Sequence, residues 1–506
     1  MFDVEKKKKE LFQRGIAHVT VDPGTKGVMR IHLIPPRYKL FSTKPAVVLL
    51  NGHFIVPIKQ GWYILLYHFI DEANKIGKRK FSPGESETAV KNAVAATKAV
   101  FKAVSEKRLR SDLTKLLTQL KEICENVGAV DTKHLSVKAF SRFMTAPHRM
   151  DLMISPMTDA DGVWNCPNMC VHCYATGQNL GYARALSTAE WLKIIDKCKA
   201  AHIPQLTFTG GEPTMRSDLA ELIDYSRWFI TRLNTNGVLL TPELCGRLYK
   251  ASLDNVQITL YSSNKDIHNS LVGGDTFDKT VRGIRNALAA GLDVSVNTPL
   301  CKANADYVST LEFIRSLGVV YVTCSAIIPG GLGAKAESKA RALGKDALFN
   351  LLDGARGYCS QNGMDISFTS PASIGKHSFK TLGFVAPVCG ACYSNMAVAP
   401  DGTVVPCQSY LSGDIKLGNM LTDEWRGIWK HRSAVAIRAL RESRLKECLL
   451  ASGDPKTANA GKFVKRRKAA KADGAGKSDK AAKAEKVDTG GENYSKTDKT
   501  GKGGAE

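Results

Sequence analysis

The stretch CPNMCVHC, residues 166–173, decides how the rest of the chain is interpreted, because it places three cysteines within eight residues. Three thiolates this close together can hold one soft metal centre, either zinc or an iron–sulfur cluster. Zinc would need a fourth ligand, and the adjacent His172 is sterically awkward in that role. A four-iron cluster on three cysteines leaves one iron open to a cofactor or substrate. We therefore expect an iron–sulfur cluster on Cys166, Cys170 and Cys173.

Around this stretch, apolar segments of strand length alternate with amphipathic helices from Met150 to about Pro329. The predicted strands are about Leu206–Thr209, Arg232–Thr235, Asn255–Leu260, Asp293–Thr298 and Val319–Ser325. The predicted helices are Thr188–Ala201, Asp218–Ile230, Pro242–Ala251, Phe277–Ala290 and Asp306–Leu317. Such alternation indicates a parallel sheet, with too few units for a closed eight-stranded barrel. We predict an α/β fold, a partial (β/α)6 barrel, with its chemistry at the C-terminal ends of the strands.

A glycine-rich turn follows the first of these strands. It reads Thr209, Gly210, Gly211, Glu212, Pro213. Glycine lets a ligand approach the backbone closely, and Glu212 supplies a carboxylate near a strand end. This turn therefore belongs with the cysteines as a candidate binding element.

CPNMCVHCY and TGGEPT within a partial barrel resemble the radical S-adenosylmethionine (SAM) superfamily, over about Asp151–Pro329. The resemblance implies a [4Fe–4S] cluster whose open iron binds the amino and carboxylate groups of SAM. One electron from the cluster then cleaves SAM to methionine and a 5′-deoxyadenosyl radical, which abstracts hydrogen from the substrate. Binding of this kind places the sulfonium beside its electron donor.

The resemblance also assigns roles to the residues around the cysteines. His172 would lie near the adenine, and Gly210, Gly211, Glu212 and Pro213 would face the methionine amino group. Three polar residues at strand ends would contact the SAM ribose or carboxylate, or else only cap turns: Asn236, Thr259 and Asn297.

A second group of cysteines lies in CGACYSNMAVAPDGTVVPC, residues 389–407. Strands Asn395–Ala399 and Thr403–Val405, joined by a Pro-Asp-Gly turn, should form a hairpin that returns Cys407 to Cys389 and Cys392. Three thiolates then suit an iron–sulfur cluster, with a structural zinc as the alternative.

This second group, together with KLGNMLTDEWRGIWKH (residues 416–431), resembles the SPASM extension of radical SAM enzymes, or its shorter Twitch form. The full SPASM pattern needs further cysteines, but only Cys448 follows, and Ala451 stands where its partner is expected. We predict one auxiliary [4Fe–4S] cluster. Either Cys448 completes its ligands, which we favour, or one iron stays open to substrate.

Ahead of the barrel, AVVLLNGHFIVPI (residues 46–58) predicts a hairpin, and three helices follow at Trp62–Lys75, Glu85–Ser105 and Arg110–Val127. This winged-helix-like module resembles the leader-binding element of peptide-modifying (RiPP) radical SAM maturases. Its segment 74–121 has twelve Lys/Arg and four Asp/Glu, which would favour an acidic leader. The alternative is a helical cap that only covers the barrel.

Five segments result. We predict an N-terminal module at 1–149, the radical SAM barrel at 150–334, a helical linker at 335–388, the auxiliary-cluster domain at 389–451, and a disordered Lys/Ala/Gly-rich tail at 452–506. The formal charge of +23 would suit nucleic acid, an anionic membrane or an acidic peptide. Because much of it lies in the tail and the N-terminal module, and no basic motif is interleaved with aromatics, we do not expect a nucleic-acid partner.

The predicted enzyme is a peptide or protein maturase that installs a crosslink, an epimerised centre or an oxidation. Its partners would be a precursor peptide and an electron donor, either a reductase or a protein of the ferredoxin or flavodoxin type. A small-molecule enzyme like the molybdenum-cofactor cyclase family is the alternative within radical SAM enzymes, although that family has no 150-residue N-terminal region. A nucleic-acid-binding or modifying protein is the alternative of another class. Neither a secretory signal nor a membrane span is visible, and cysteines stay reduced in the cytoplasm, where we expect the protein.

Overall fold

The computed structural model describes residues 2–443, apart from 22–28, 37, 40–41, 44–45, 51–53, 78–79, 126–144, 371–373 and 388. The predicted tail at 452–506 and Cys448 lie outside the described residues. In the described part of the chain, no helix is both long and apolar enough to cross a membrane.

The N-terminal module, residues 2–125, is an antiparallel sheet covered by helices. Its strands are β1 (Ala17–Val21), β2 (Met29–Ile34), β3 (Tyr38–Lys39), β4 (Ser42–Thr43), β5 (Ala46–Leu50) and β6 (Phe54–Ile58). Its helices are α1 (Phe2–Gln13), α2 (Gln60–Ile76), α3 (Pro83–Val100) and α4 (Glu106–Glu125). One sheet has the order β1-β2-β5-β6, and β3 pairs with β4.

The predicted hairpin and three helices are present in this module. The hairpin is β5 paired with β6, although its Asn51-Gly52 turn lies outside the described residues. The strands β1 and β2 were not predicted, although AHVTV and MRIHLI both alternate apolar and polar residues, which is the signal that identifies them. Helix α3 ends earlier than expected, since Ser105 accepts a hydrogen bond from the Arg108 N–H and begins the next helix.

Seven parallel strands form the barrel sheet, in sequential order. They are β7 (Arg149–Ser155), β8 (Gln205–Gly210), β9 (Ile230–Thr235), β10 (Asn255–Thr259), β11 (Val294–Leu300), β12 (Tyr321–Ala326) and β13 (Asp365–Phe368). The helices are α5 (Thr188–Ala200), α6 (Leu219–Tyr225), α7 (Pro242–Lys250), α8 (Lys265–Val272), α9 (Phe277–Ala289), α10 (Tyr307–Ser316), α11 (Ala336–Arg341), α12 (Lys345–Gln361) and α13 (Lys376–Thr381). The predicted α/β partial barrel is confirmed.

The barrel differs from its prediction in three places. The pattern does not predict β7, whose apolar run DLMI carries no period that separates strand from helix. The helix predicted over Asp218–Ile230 ends at Tyr225, because Ile230 already begins β9. The segment predicted as a helical linker also contains β13, which pairs in parallel with β12 and extends the sheet.

Side chains on β7–β12 separate an apolar outer face from a polar inner face. The outer residues pack against the helices, as Phe208, Leu233 and Ile258 do in the main core. The inner residues surround a space that we call the lumen: Arg149, Thr207, Thr209, Arg232, Asn234, Gln257, Thr259, Asn297 and Thr323. Closed barrels of this type fill their interior with Val, Ile and Leu. A polar lumen is instead suited to a polar ligand.

A hairpin continues the barrel sheet beyond its first strand. It consists of β14 (Asn395–Val398) and β15 (Thr403–Val405), followed by β16 (Gly418–Asn419), α14 (Trp425–Trp429) and α15 (Arg432–Ser443). The predicted hairpin is confirmed, with β14 antiparallel to β15. β14 also pairs in parallel with β7, which was not expected, and this pairing brings the second cysteine group to the barrel.

The N-terminal module contacts the N-terminal ends of two barrel strands through one buried arginine. Arg30 on β2 donates to the Asp254 carboxylate and to three backbone carbonyls in the loops that precede β9 and β10. His32, on the same strand, bonds the Trp228 carbonyl at 3.0 Å. Because Asn236, which contacts Cys166, follows the opposite end of β9, the module contacts the barrel away from the first cysteine group.

Candidate active site

The cysteine loop, residues 166–173, is fixed by backbone contacts to the end of α8. Met169 N–H donates to Val272 O at 2.8 Å, and Val171 N–H donates to Leu271 O at 3.0 Å. Gly273, which follows α8, has φ +69, and a Cβ there would lie 2.5 Å from the Met169 carbonyl oxygen. Only glycine allows this close approach without displacing the loop.

The three cysteines of this loop face one cavity of about 940 Å³. Burial, followed by the Glu212 charge, raises the pKa of Cys166 to about 12. Burial also raises the pKa of Cys170. Thiols of raised pKa become thiolates when a metal centre binds them. No three His, Cys, Asp or Glu side chains in the described part of the chain converge tightly enough for a single metal ion.

The same cavity is lined by nearly all the residues that the sequence assigns to SAM: His172, Gly210, Gly211, Glu212, Asn236, Thr259 and Asn297. Pro213 is the exception, since it is buried beside the cavity without lining it. Thr259 and Asn297 are directly paired between β10 and β11, so they present two polar groups at adjacent strand ends. The structure therefore brings these residues together with the cysteines.

His172 fits a bound polar ligand. Its ring packs edge-on against Tyr261, with centroids 5.2 Å apart. Both ring nitrogens are buried and have no hydrogen-bond partner among the described residues. Burial lowers the pKa of His172 to about 4, so the ring is neutral and one of its nitrogens is a free acceptor at neutral pH. Buried polar groups of this kind usually have a partner, which a ligand in the cavity would supply.

Glu212 organises the glycine-rich turn. One carboxylate oxygen accepts from Thr214 N–H (3.0 Å), Thr214 Oγ1 (2.5 Å) and Thr235 Oγ1 (2.6 Å), and the other accepts from Asn236 N–H (2.9 Å). Asn236 Nδ2 in turn lies 3.6 Å from Cys166 Sγ. Burial raises the pKa of Glu212, but donors on both oxygens favour its ionised form. Glu212 thus links the turn to the first cysteine.

The second cysteine group opens onto the same cavity. Cys389 and Cys407 line it, whereas Cys392 is fully buried behind them. Cys392 N–H donates to Pro406 O at 3.0 Å, so the hairpin does return Cys407 to the Cys389–Cys392 pair. Burial raises the pKa of Cys392 to about 12. Cys448 cannot be placed relative to these three, because it lies outside the described residues.

Gln178 joins the segments that carry the two cysteine groups. Its Nε2 donates to Tyr174 O and to Ser409 O (3.0 Å), and its Oε1 accepts from Leu411 N–H at 2.9 Å. Three bonds from one buried amide hold the two segments in a fixed relation. Sequence reasoning missed this residue, because a single glutamine carries no pattern.

The donor chemistry at this cavity fits two iron–sulfur centres and SAM. Six cysteines in two groups supply thiols, and a polar lumen with an unpartnered imidazole adjoins the first group. Sequence profiles agree: that of the radical SAM superfamily matches residues 165–333, and that of the SPASM iron–sulfur cluster-binding domain matches residues 389–450. The chain contains a radical SAM domain and a SPASM domain. Its cofactors are accordingly a [4Fe–4S] cluster, SAM and auxiliary iron–sulfur.

Two curated relatives illustrate the range of this similarity. The enzyme is 27% identical over 288 residues to the mycofactocin maturase MftC of Mycolicibacterium smegmatis, covering 55% of the chain and 70% of MftC. It is 34% identical over 187 residues to a probable GTP 3′,8-cyclase of Methanopyrus kandleri, covering 36% of the chain and 60% of the cyclase.

One solved structure matches the fold along most of the chain. It is the crystal structure of Streptococcus suis SuiB bound to its precursor peptide SuiA, with a TM-score of 0.50 and 13% identity. The match covers 76% of this chain and 85% of the SuiB chain. At this identity it supports the shared fold alone.

Proposed function

We propose that the enzyme abstracts a hydrogen atom from a peptide or protein substrate and so installs a crosslink, an epimerised centre or an oxidation. The observation that carries this proposal is the shared cavity, onto which both cysteine groups open. A substrate in the lumen lies next to both. Support for a peptide comes from MftC, named as a maturase, and from SuiB, whose structure contains a precursor peptide.

In this proposal Cys166, Cys170 and Cys173 hold the cluster that binds SAM. When bound, that cluster supplies the electron that converts SAM to methionine and a 5′-deoxyadenosyl radical. His172, Thr259 and Asn297 line the cavity and would bind the polar parts of SAM. A further group, Gly210 to Pro213, would leave room for its amino group. The role of Glu212 is then to position Asn236 and the turn through its four hydrogen bonds.

Cys389, Cys392 and Cys407 would hold the auxiliary cluster, with Cys448 as its fourth ligand. A site completed by Cys448 would exchange electrons with the substrate, whereas a three-cysteine site would bind the substrate through an open iron. Gln178 would keep the two centres at a constant separation. A reductase, ferredoxin or flavodoxin would supply the electron, and the reduced thiols that clusters need favour a cytoplasmic location.

The N-terminal module would bind the leader part of a precursor. Within the described sheet β1 and β6 are the edges, and β1 lies towards the barrel, with His18 beside Trp228. β6 is therefore the edge along which an extended peptide would add. Pro57 in β6 suits an edge position, because it lacks an N–H. The basic surplus of residues 74–121 would favour an acidic leader. We also propose the five segment boundaries given above on the same grounds.

The deciding experiment uses the short reading frames that adjoin the gene. Each encoded peptide is incubated with reconstituted enzyme, SAM and a reductant, and its mass is measured. A mass change that needs SAM and is absent in a C166A/C170A/C173A variant supports the proposal. If that variant still forms 5′-deoxyadenosine, the assignment of these cysteines is wrong.

A small molecule is the second candidate substrate class, favoured by the identity to the probable GTP 3′,8-cyclase over 36% of the chain. The same assay distinguishes a peptide from a small-molecule substrate. If the substrate is a small molecule, incubation with nucleoside triphosphates would consume SAM, and no peptide would change in mass. A substrate of this class would leave the N-terminal module without a role in recognition.

A further inference from the structure

The end of the lumen away from Cys166, Cys170 and Cys173 contains a cation that the proposed chemistry does not use. Arg232 is the third residue of β9, and its side chain lines the cavity. Among the described residues it has neither a hydrogen bond nor an ion pair. Its side chain is exposed to the solvent in the lumen. Desolvation by the surrounding protein, followed by the nearby Arg149, lowers the pKa of its guanidinium, which nevertheless stays charged at neutral pH.

The carboxylates near Arg232 already have closer partners. Asp293, Asp151 and Asp254 raise the pKa of Arg232 through their charge alone, without a hydrogen bond to it. Arg149 pairs with Asp151 at 2.8 Å, Arg30 pairs with Asp254, and Asn255 donates to Asp293 at 3.1 Å. Asp151 and Asp254 are therefore paired with other arginines, Asp293 accepts a hydrogen bond from an amide, and no bond from Arg232 to any of the three is found among the described residues. Arg232 is solvent-exposed where it lines the lumen, so its free donors are accessible to an anion that enters the cavity.

A buried hydroxyl on the neighbouring strand is also unpartnered. Thr207 is directly paired with Arg232 between β8 and β9, and both line the cavity. Thr207 is 2% exposed, and its Oγ1 has no hydrogen-bond partner in the described structure. Other lumen groups do pair with each other, as Gln257 Nε2 does with Thr323 Oγ1 at 3.1 Å. Two adjacent free donors thus face the same space.

We propose that Arg232 and Thr207 bind a carboxylate of the substrate inside the lumen. This rests on the proposed function, because a peptide offers carboxylates at its C-terminus and on Asp and Glu side chains. A guanidinium binds a carboxylate through two parallel N–H···O bonds, and the hydroxyl donates a third. The bound carboxylate fixes one end of the substrate, so that the adjoining residue points towards the end of the cavity that holds Cys166, Cys170 and Cys173. Arg232 is then a determinant of specificity for an acidic group near the modified position.

The test measures whether carboxylates protect Arg232 in the reconstituted, full-length holoenzyme. Phenylglyoxal, which reacts with free guanidinium groups, is added, and labelling is quantified at each arginine by mass spectrometry. Four additives are compared: N-acetylglycine as a chain terminus, N-acetylaspartyl amide as a side chain, N-acetylglycinamide as the uncharged control, and inorganic phosphate. Arg282, exposed on α9, is the matched control arginine.

The expected result is that one or both carboxylates slow labelling of Arg232 by about tenfold, the effect of one charge-assisted contact, and leave Arg282 unchanged. The stronger protector identifies a chain terminus or an acidic side chain as the source. Equal labelling under all four conditions would overturn the carboxylate site and leave the peptide proposal to its own assay. A complete lack of phenylglyoxal labelling at Arg232 would also overturn the carboxylate site. Protection by phosphate alone would overturn both, because it points to a phosphorylated small molecule.

Discussion

Replacing Glu212 with glutamine isolates the contribution of one buried carboxylate to the site. Its two oxygens accept four hydrogen bonds, from Thr214, Thr235 and Asn236. An amide has one oxygen, and the three donors on one side will fix its orientation. Its NH2 group then faces the Asn236 N–H, so that two donors oppose each other in a position that is 1% exposed.

The size of the effect follows from these contacts. One charge-assisted bond to a buried N–H is lost, worth about 1.5–3 kcal/mol. The three remaining bonds lose their charge and become weaker, while relief of carboxylate desolvation offsets part of that loss. We expect E212Q to lower the free energy of unfolding by about 2–3 kcal/mol. Because Asn236 contacts Cys166 Sγ, we also expect the variant to retain less iron after desalting.

Urea denaturation of the anaerobic protein, followed by tryptophan fluorescence, measures the first effect, and iron analysis measures the second. Glu221→Gln is the control, since Glu221 is exposed on α6. If E212Q and E221Q unfold within about 0.5 kcal/mol of each other, Glu212 does not support the turn as an ionised acceptor.

Three shorter predictions concern other parts of the molecule. Gly273→Ala should displace the cysteine loop and reduce the iron that the protein retains. Gly274→Ala is the control, because the nearest atom to a Cβ there, outside its chain neighbours, is 3.7 Å away. Equal iron content in the two variants would contradict this prediction. Iron and sulfide analysis should give about eight irons per chain if both centres are four-iron clusters. A C389A/C392A/C407A variant should retain about four irons and should still cleave SAM. An unchanged iron content in that variant would contradict the prediction. Burial lowers the pKa of His32 to about 4. In the unfolded chain His32 has an ordinary pKa of ~6.5 and therefore binds a proton more readily than in the folded protein. The free energy of unfolding should fall by up to about 3 kcal/mol as the pH drops from ~6.5 to 4. In H32Q the free energy of unfolding, measured by urea denaturation at each pH, should depend less steeply on pH. The same pH dependence in H32Q and the wild type would contradict this prediction.

Local patterns in the sequence were sufficient to predict the barrel and both cysteine groups. Strand–helix alternation with capping residues, such as Ser187 before α5, predicts most of the parallel sheet. The hairpin of the second group follows from its Pro-Asp-Gly turn, in which Gly402 has φ +86. These features depend on residues close together in the chain, which a single sequence displays directly.

Long-range pairings could not be predicted in the same way. That β14 would pair with β7 depends on two segments about 240 residues apart, and neither of them specifies its partner. The same holds for Arg30, whose partners on the barrel are distant in sequence. Helix α8 is a different case, because Asn264 and Gly273 form a recognisable N-cap and C-terminal stop that predict it. Alternating polar residues in ITRLNT and NVQIT are the signal for the lumen.

The contact of the N-terminal module with the barrel sets a minimum length for any substrate that uses both. Arg30 meets the barrel at the start of β9 and β10, whereas Cys166, Cys170 and Cys173 lie at the far ends of the strands. Six extended residues span about 20 Å, the length of one such strand. If the module binds a leader as proposed, and the precursor runs from it to Cys166, Cys170 and Cys173, the precursor needs at least that many residues between its recognition sequence and the modified residue. The module would then set the distance between the leader and the modified residue. Shortening this spacer would prevent modification without weakening the binding of the leader.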